Sequence, residues 1–331
     1  MYEKFYGLNG KPFSLSPDPN FYFASRGHQR VLSYLRYGIH QGEGFVVVTG
    51  EIGAGKTTLI KTLVNELSGD TDFVIGQIAS TQLEASDLAE SVALAFGVSN
   101  EGLSRSQIFN RLQGYLTQRR LEGKRALLIV DEAQNMPYST LEELRMLTNH
   151  QVGDRQMLQA CLVGQGELRA RLQEKRMEQL RQRAVAFCHL GPMTQDETQG
   201  YIKHRLQRVG WEGRPELHQD ALDCIYSETQ GIPRRINTLA DRIFLVAYLE
   251  EREAVDDDLV NEVARELAEE QPRASDQGDH AFATEQEMMS PQNGELMEQR
   301  LAAVEERMGL LEKLLDCRSL AKVLIQSLQR T

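Results

Sequence analysis

Two hydrophobic patterns alternate along the first two thirds of the chain. Short continuous apolar runs are typical of strands buried on both faces, and apolar residues three and four positions apart are typical of helices. Between residues 24 and 193 the predicted strands are FVVVTG, FVIGQIAS, ALLIVDEAQ, QMLQACLVG and AVAFCHL, with helical patterns between the first four. Alternation of this kind predicts an α/β domain with a three-layer parallel sheet.

The pattern changes at Thr194. Thr194 and Glu197 predict a capping box at the start of a helix, and helical spacing then continues to residue 270 with a Gly-x-Pro break. The sequence therefore predicts a small all-helical lid domain over residues 194–270, placed after the α/β domain.

The two ends of the chain differ from these domains. Residues 1–23 are rich in aromatic residues, Gly and Pro, which predicts an extended segment that packs on the core of the α/β domain without a helix of its own. Residues 271–294 are polar and predict a linker. Residues 295–331 have a heptad spacing, which predicts a C-terminal helix that either forms a coiled coil or docks on its own α/β domain.

Composition narrows the class of protein. The net charge of -11 argues against a protein that coats nucleic acid over its whole surface, although a local basic patch stays compatible with it. The four cysteines form no CxxC pair, which favours free thiols in a reducing compartment. No signal peptide is recognisable, and no apolar run reaches the roughly 20 residues of a membrane span. We therefore expect a cytoplasmic protein, held at a membrane at most through partners.

The stretch GEIGAGKT, residues 50–57, fits the phosphate-binding pattern G-x-x-x-x-G-K-[ST] between a predicted strand and a predicted helix. Its backbone N–H groups and the helix N-terminus are suited to phosphate oxygens. Lys56 is expected to reach the β- and γ-phosphates, and Thr57 to bind Mg²⁺. The predicted nucleotide-binding residues are Gly50, Glu51, Ile52, Gly53, Ala54, Gly55, Lys56, Thr57 and Thr58, together with Arg234.

Two acids end the apolar strand ALLIVDEAQ. Asp131 is placed to bind Mg²⁺ directly or through water, and Glu132 to act as general base on the attacking water. Together with the phosphate-binding loop, they predict hydrolysis of ATP with Mg²⁺ as cofactor. Gln165, after the next strand, is a candidate to contact the γ-phosphate or the water.

A basic run covers residues 169–183. It fits a solvated helix face, a phosphate-contacting patch for nucleic acid, or an arginine finger offered to a neighbouring subunit. Arg183 is the first candidate for the finger, and Arg181 is the second.

The motif GIPRRIN places Arg234 at the start of a predicted helix, where a cation is unfavourable unless an anion compensates. A phosphate reached from the small domain would compensate, and so would pairing with Glu228. Both readings remain open.

Taken in order, MYEKFYGLNGKPFSLSPDPNFYF, GEIGAGKTT, LLIVDEAQN, LVGQGEL, LRQR and GIPRRIN resemble the AAA+ ATPases of the general secretion pathway protein A type, in particular the subgroup associated with exosortase and exopolysaccharide systems. The resemblance covers about residues 1–270. It implies a P-loop NTPase fold, Walker A at residues 50–57, Walker B at Asp131 and Glu132, sensor 1 at Gln165, sensor 2 at Arg234 and a finger at Arg183. It also implies that the segment Phe21–Phe23 lies near the adenine.

Two classes of function follow. The first is an ATPase that works as a homo-oligomeric ring or filament and serves a membrane-bound exopolysaccharide or secretion machine. Secretion-type relatives continue into a membrane helix and a peptidoglycan-binding domain, so we do not expect direct envelope remodelling here. The second class is a nucleic-acid-associated AAA+ protein, such as a transposition target selector or an initiator, whose DNA binding would depend steeply on salt.

Overall fold

The computed structural model describes residues 1–79, 83–153 and 155–270. The predictions for the linker 271–294 and for the heptad helix 295–331 lie outside these residues. The described residues form one α/β part and one helical part, as the change of pattern at Thr194 predicted.

Five strands form a central parallel sheet, and four short strands form two pairs. In chain order the strands are β1 (Phe45–Gly50), β2 (Phe73–Ala79), β3 (Arg125–Asp131), β4 (Gln151–Val152), β5 (Arg155–Gln156), β6 (Leu158–Gly164), β7 (Ala184–Leu190), β8 (Glu216–Leu217) and β9 (Ala254–Val255). The central order is β2-β3-β6-β1-β7, all parallel. The predicted parallel sheet is therefore confirmed.

Helices cover both faces of the sheet and build the second part. In chain order they are α1 (Tyr2–Phe5), α2 (Arg26–Gln41), α3 (Lys56–Ser68), α4 (Leu88–Ala95), α5 (Arg105–Leu121), α6 (Tyr138–Thr148), α7 (Gly166–Gln173), α8 (Glu178–Arg181), α9 (Gln195–Arg208), α10 (Gln219–Thr229), α11 (Pro233–Leu249) and α12 (Asp257–Glu270). Single 3-10 turns lie at Pro19–Phe21, Ala133–Asn135 and Lys175–Met177. The capping box of Thr194 and Glu197 starts α9 as predicted.

Alternate residues of each strand fill the two interfaces between layers. On β3, Leu128 points into the cluster formed with α4 to α8, whereas Ile129 points into the cluster formed with α2 and α3. Both side chains are at most 2% exposed. A strand buried on both faces has to be apolar throughout, which explains the continuous apolar runs in the sequence.

The N-terminal segment packs on the helical part, and the expectation that it packs on the α/β core is wrong for residues 2–13. Tyr2, Tyr6 and Phe13 surround Phe244 of α11, with ring centroids 5.3–5.9 Å away. The segment also contains the short helix α1. Both faces of the sheet are already covered by helices, whereas α11 has an apolar face that needs covering.

Candidate nucleotide-binding site

The sheet register brings the phosphate-binding loop, Asp131 and Gln165 to one edge. Thr49 of β1 lies beside Gly164 of β6, and β6 lies beside β3. The carboxyl ends of these strands therefore lie together, with the phosphate-binding loop after β1, Asp131 at the end of β3 and Gln165 after β6. This edge is where parallel α/β sheets bind ligands.

The phosphate-binding loop needs glycine at two positions. Gly53 and Gly55 have φ angles of +82° and +96°, a region that other residues rarely adopt. They also lie close to other side chains: a Cβ atom on Gly55 would lie 2.8 Å from Nε2 of His28, and one on Gly53 would collide with Arg234. The loop is thus held between α2 and the helical part.

Lys56 folds back onto this loop. Its Nζ donates to the carbonyl oxygens of Gly50, at 2.9 Å, and Glu51, at 2.8 Å. Burial lowers the pKa of Lys56, while the charges of Glu132 and Asp131 oppose that shift. The ammonium group is therefore beside both acids and satisfied by carbonyl groups that a phosphate could replace.

Two oxygen ligands for a hard cation such as Mg²⁺ lie side by side. The Thr57 hydroxyl donates to Oδ2 of Asp131 at 3.2 Å. A hydroxyl oxygen and a carboxylate oxygen in contact are ligands that Mg²⁺ takes alongside phosphate oxygens and water. The residues present therefore fit the predicted ATP and Mg²⁺.

Glu132 directly follows Asp131, the last residue of β3. Two side chains donate hydrogen bonds to its carboxylate. Oε2 of Glu132 accepts hydrogen bonds from the side-chain amides of Gln134 and of Gln165, the latter at 3.2 Å. Gln165 therefore lies beside Glu132, and its contact with the γ-phosphate or the water stays a prediction. The sequence analysis did not single out Gln134.

The helical part and the N-terminal segment close the other side of the cleft. The backbone N–H of Arg234 donates to the Gly53 carbonyl at 3.1 Å, and Arg234 lines the cleft. Among the described residues no salt bridge joins Arg234 to Glu228. The segment Phe21–Phe23 also lines the cleft, and its place near the adenine stays a prediction.

Further lining residues were missed by the sequence analysis. Tyr201 donates to Asn237 at 2.9 Å, and the buried Arg205 donates to Tyr201 at 2.7 Å. Arg205 also donates to the carbonyl oxygens of Pro12 and Ser14. These contacts join α9 to α11 and to the N-terminal segment, so no local motif signals them.

His28 lies against the phosphate-binding loop. It is 5% exposed, and its Nδ1 lies 2.8 Å from the Ser25 hydroxyl. Burial lowers the pKa of His28, which favours the neutral ring. The sequence analysis did not single out His28.

Half of the basic residues in the run 169–183 have hydrogen-bond or ion-pair partners within the chain. Arg171 donates to the carbonyl of Gln134, Arg176 pairs with Glu174 at 2.9 Å, and Arg181 donates to the Gln173 carbonyl at 3.1 Å. Half of its six basic residues therefore have internal partners. This arrangement weakens the reading of the run as a continuous phosphate-contacting patch.

Arg183 lies at the opposite end of the sheet from the phosphate-binding loop. It precedes β7, whose first residue pairs with Phe45 at the start of β1. The length of β1 therefore separates Arg183 from the loop, about 17 Å at 3.3 Å per residue. Nη1 of Arg183 is buried without a hydrogen-bond partner among the described residues.

Within the described residues, no helix is both long enough and apolar enough to cross a membrane.

Comparison with known proteins agrees with this geometry. Residues 39–172 match the family of the AAA domain. General secretion pathway protein A of Aeromonas hydrophila is 35% identical over 249 residues, which cover 75% of this chain and 45% of the relative. The chain thus spans less than half the length of that relative.

Two further similarities are more distant. The Mu-like prophage FluMu DNA transposition protein B of Haemophilus influenzae is 29% identical over 100 residues, 30% of this chain and 32% of that protein. The structure of Cdc6p from Pyrobaculum aerophilum shares the fold with a TM-score of 0.62 at 17% identity, over 77% of this chain and 70% of that one. The chain therefore contains an AAA+ ATPase domain of the type found in general secretion pathway protein A.

Proposed function

We propose that the protein hydrolyses ATP to drive assembly or regulation of a bacterial envelope machine, either a secretion system or an exopolysaccharide system of the exosortase-associated kind. The observation that carries the proposal is the cleft in which Lys56, the Thr57–Asp131 pair and Glu132 meet. The similarity to general secretion pathway protein A supports the class of machine. In this proposal the protein acts in the cytoplasm as a homo-oligomer and reaches the membrane through partners.

The chain's own groups have separate tasks in this reaction. The backbone of residues 50–57 and Lys56 hold the phosphates, and Glu132 accepts a proton from the water that attacks the γ-phosphorus, releasing ADP and phosphate. Thr57 and Asp131 would hold Mg²⁺, which neutralises charge on the β- and γ-phosphates when bound. Gln165 contacts Glu132 and is placed to orient the water.

The helical part would report the state of the nucleotide. Arg234 lies on α11 and contacts Gly53, so a γ-phosphate held between them would link the two parts, and its loss would weaken that link. Movement of the helical part could then act on a partner protein.

The second candidate is a nucleic-acid-associated ATPase. The similarity to the FluMu DNA transposition protein B favours it, whereas the net charge of -11 and the internal partners of the basic run oppose it. DNA binding by this candidate would weaken steeply as salt rises.

The test is ATP turnover by the purified protein with and without double-stranded DNA, while light scattering records its mass with and without ATP. We expect turnover and ATP-dependent assembly that DNA does not change. DNA binding with stimulated turnover would favour the second candidate, and no turnover under any of these conditions would contradict the proposal.

We further propose that Arg183 completes the nucleotide site of a neighbouring subunit. Arg183→Ala and Lys56→Ala proteins should each lose turnover, by about 10³-fold for a finger. In a 1:1 mixture, roughly a quarter of randomly formed interfaces join an intact Lys56 to an intact Arg183, so turnover should recover to about that fraction.

The matched control repeats the mixture with Arg181→Ala. If turnover recovered in the mixture with Arg181→Ala but not in the mixture with Arg183→Ala, the arginine finger would be Arg181. Full turnover by unmixed Arg183→Ala protein would show that Arg183 is not a finger.

A further inference from the structure

Gln134 is hydrogen-bonded at both ends of its side-chain amide. Nε2 donates to Oε2 of Glu132, and Oε1 accepts from the backbone N–H of Gln165 at 3.0 Å. Only one orientation of the amide satisfies both neighbours, because a carboxylate needs a donor and a backbone N–H needs an acceptor. Rotation of the amide would break both bonds.

The surroundings of Gln134 leave it little freedom. A Cβ atom on Gly164 would lie 2.8 Å from Oε1 of Gln134, so the amide passes close to the backbone at the end of β6. The backbone carbonyl of Gln134 accepts a hydrogen bond from Arg171 of α7. Arg171 also stacks on the ring of Tyr138, with 4.3 Å between its guanidinium carbon and the ring centroid. Gln134 is therefore fixed by β6, α6 and α7 together.

Glu132 itself has an unusual backbone. Its φ and ψ of 52° and 36° lie in the left-handed region, which is unfavourable for a residue with a side chain. Its N–H donates to Oδ1 of Asp131 at 2.9 Å. Strained residues of this kind persist where their surroundings over-determine them, and they occur often at functional sites.

The two oxygens of the Glu132 carboxylate have different hydrogen-bond partners. Oε2 of Glu132 accepts from Gln134 and Gln165, and no donor among the described residues contacts Oε1. A carboxylate held in this way presents one fixed oxygen with free lone pairs. Such an oxygen is what a general base needs in order to accept a proton from a positioned water.

We propose that Gln134 is a positioning residue that holds Glu132 in the orientation for proton acceptance and links it to α7. The inference rests on the proposed function, because it assigns Glu132 the role of base. A residue that only fills space between β3 and β6 would have the same burial, but its loss would affect stability and not the rate of proton transfer.

Two variants of the full chain separate these roles. Gln134→Met has a similar length and lacks both hydrogen bonds. Gln134→Glu keeps the acceptor for the Gln165 N–H and loses only the donor to Glu132. We expect Gln134→Met to lower kcat about tenfold with the ATP Kd unchanged, a loss expected when a group acts only in the transition state.

Gln134→Glu separates the donor from the acceptor. Its carboxylate repels Glu132 in place of donating to it, so kcat should fall more than in Gln134→Met, again with the ATP Kd unchanged. Wild-type kcat in both variants would overturn the proposal.

A measurement without nucleotide tests the contact itself. Thermal unfolding of Gln134→Met, Glu132→Ala and the double variant forms a cycle, because each single variant removes the contact and residues in contact give non-additive changes of Tm. We expect the double variant to lose less than the sum of the single losses, and additive losses would overturn the contact. Absence of turnover in wild type, or wild-type turnover in Glu132→Gln, would instead contradict the proposed function, so the two failures are distinguishable.

Discussion

Lys56→Ala protein is expected to lose ATP binding by about 100-fold, because a charge-assisted hydrogen bond to phosphate contributes on the order of 3 kcal/mol. The fold should survive the change. Among the described residues, Nζ donates hydrogen bonds only to the carbonyl oxygens of Gly50 and Glu51, and burial disfavours its charge. The measurement is titration of a fluorescent ATP analogue together with a thermal unfolding curve.

Lys203→Ala is the matched control, since Lys203 is exposed on α9 and lies outside the cleft lining. It should bind ATP like wild type. Equal affinity of Lys56→Ala and wild type would remove Lys56 from the phosphate site, and equal weakening by both substitutions would point to a general effect of charge.

Glu132→Gln protein is expected to bind ATP normally while turnover falls by about 10²- to 10⁴-fold, the usual contribution of a general base. The amide oxygen of the new side chain can still accept from Gln134 and Gln165, so the local structure should hold. ATP-dependent assembly, if it needs only bound ATP, should persist and become longer-lived. Phosphate release and light scattering measure the two effects.

Glu167→Gln is the control for charge alone. Glu167 is exposed at the start of α7, and its charge, like that of Glu132, raises the pKa of Lys56. Its turnover should remain close to that of wild type. A loss as large as that of Glu132→Gln would show that the electric field at Lys56, and not proton acceptance, accounts for the effect.

The parts of the site that the sequence could predict are those set by consecutive residues. A strand, a glycine turn and a helix follow one another in residues 45–68, so the phosphate-binding loop is a local pattern. Asp131 and Glu132 end a buried strand, and parallel strands place such ends at one edge of the sheet. The fold class followed from the same alternation of strands and helices.

The parts that could not be predicted depend on contacts between distant residues. His28 reaches the loop, and Arg205 fixes the N-terminal segment, only because the helices pack in this way. Gln134 is adjacent to the predicted motif, yet its role depends on the backbone N–H of Gln165, which follows β6. Aromatic composition indicates burial without indicating a partner, so the sequence does not show that residues 2–13 pack on the helical part.

The contact between the N-terminal aromatic residues and α11 has a consequence during synthesis. Phe13 leaves the ribosome 231 residues before Phe244, against which it packs. At rates of about 5–20 residues per second this interval lasts roughly 10 to 50 seconds. The α/β part has time to fold while the first aromatic residues stay exposed, so this stretch is a natural site for a chaperone to bind the nascent chain. The helical part can complete its core only when nearly all described residues have been made.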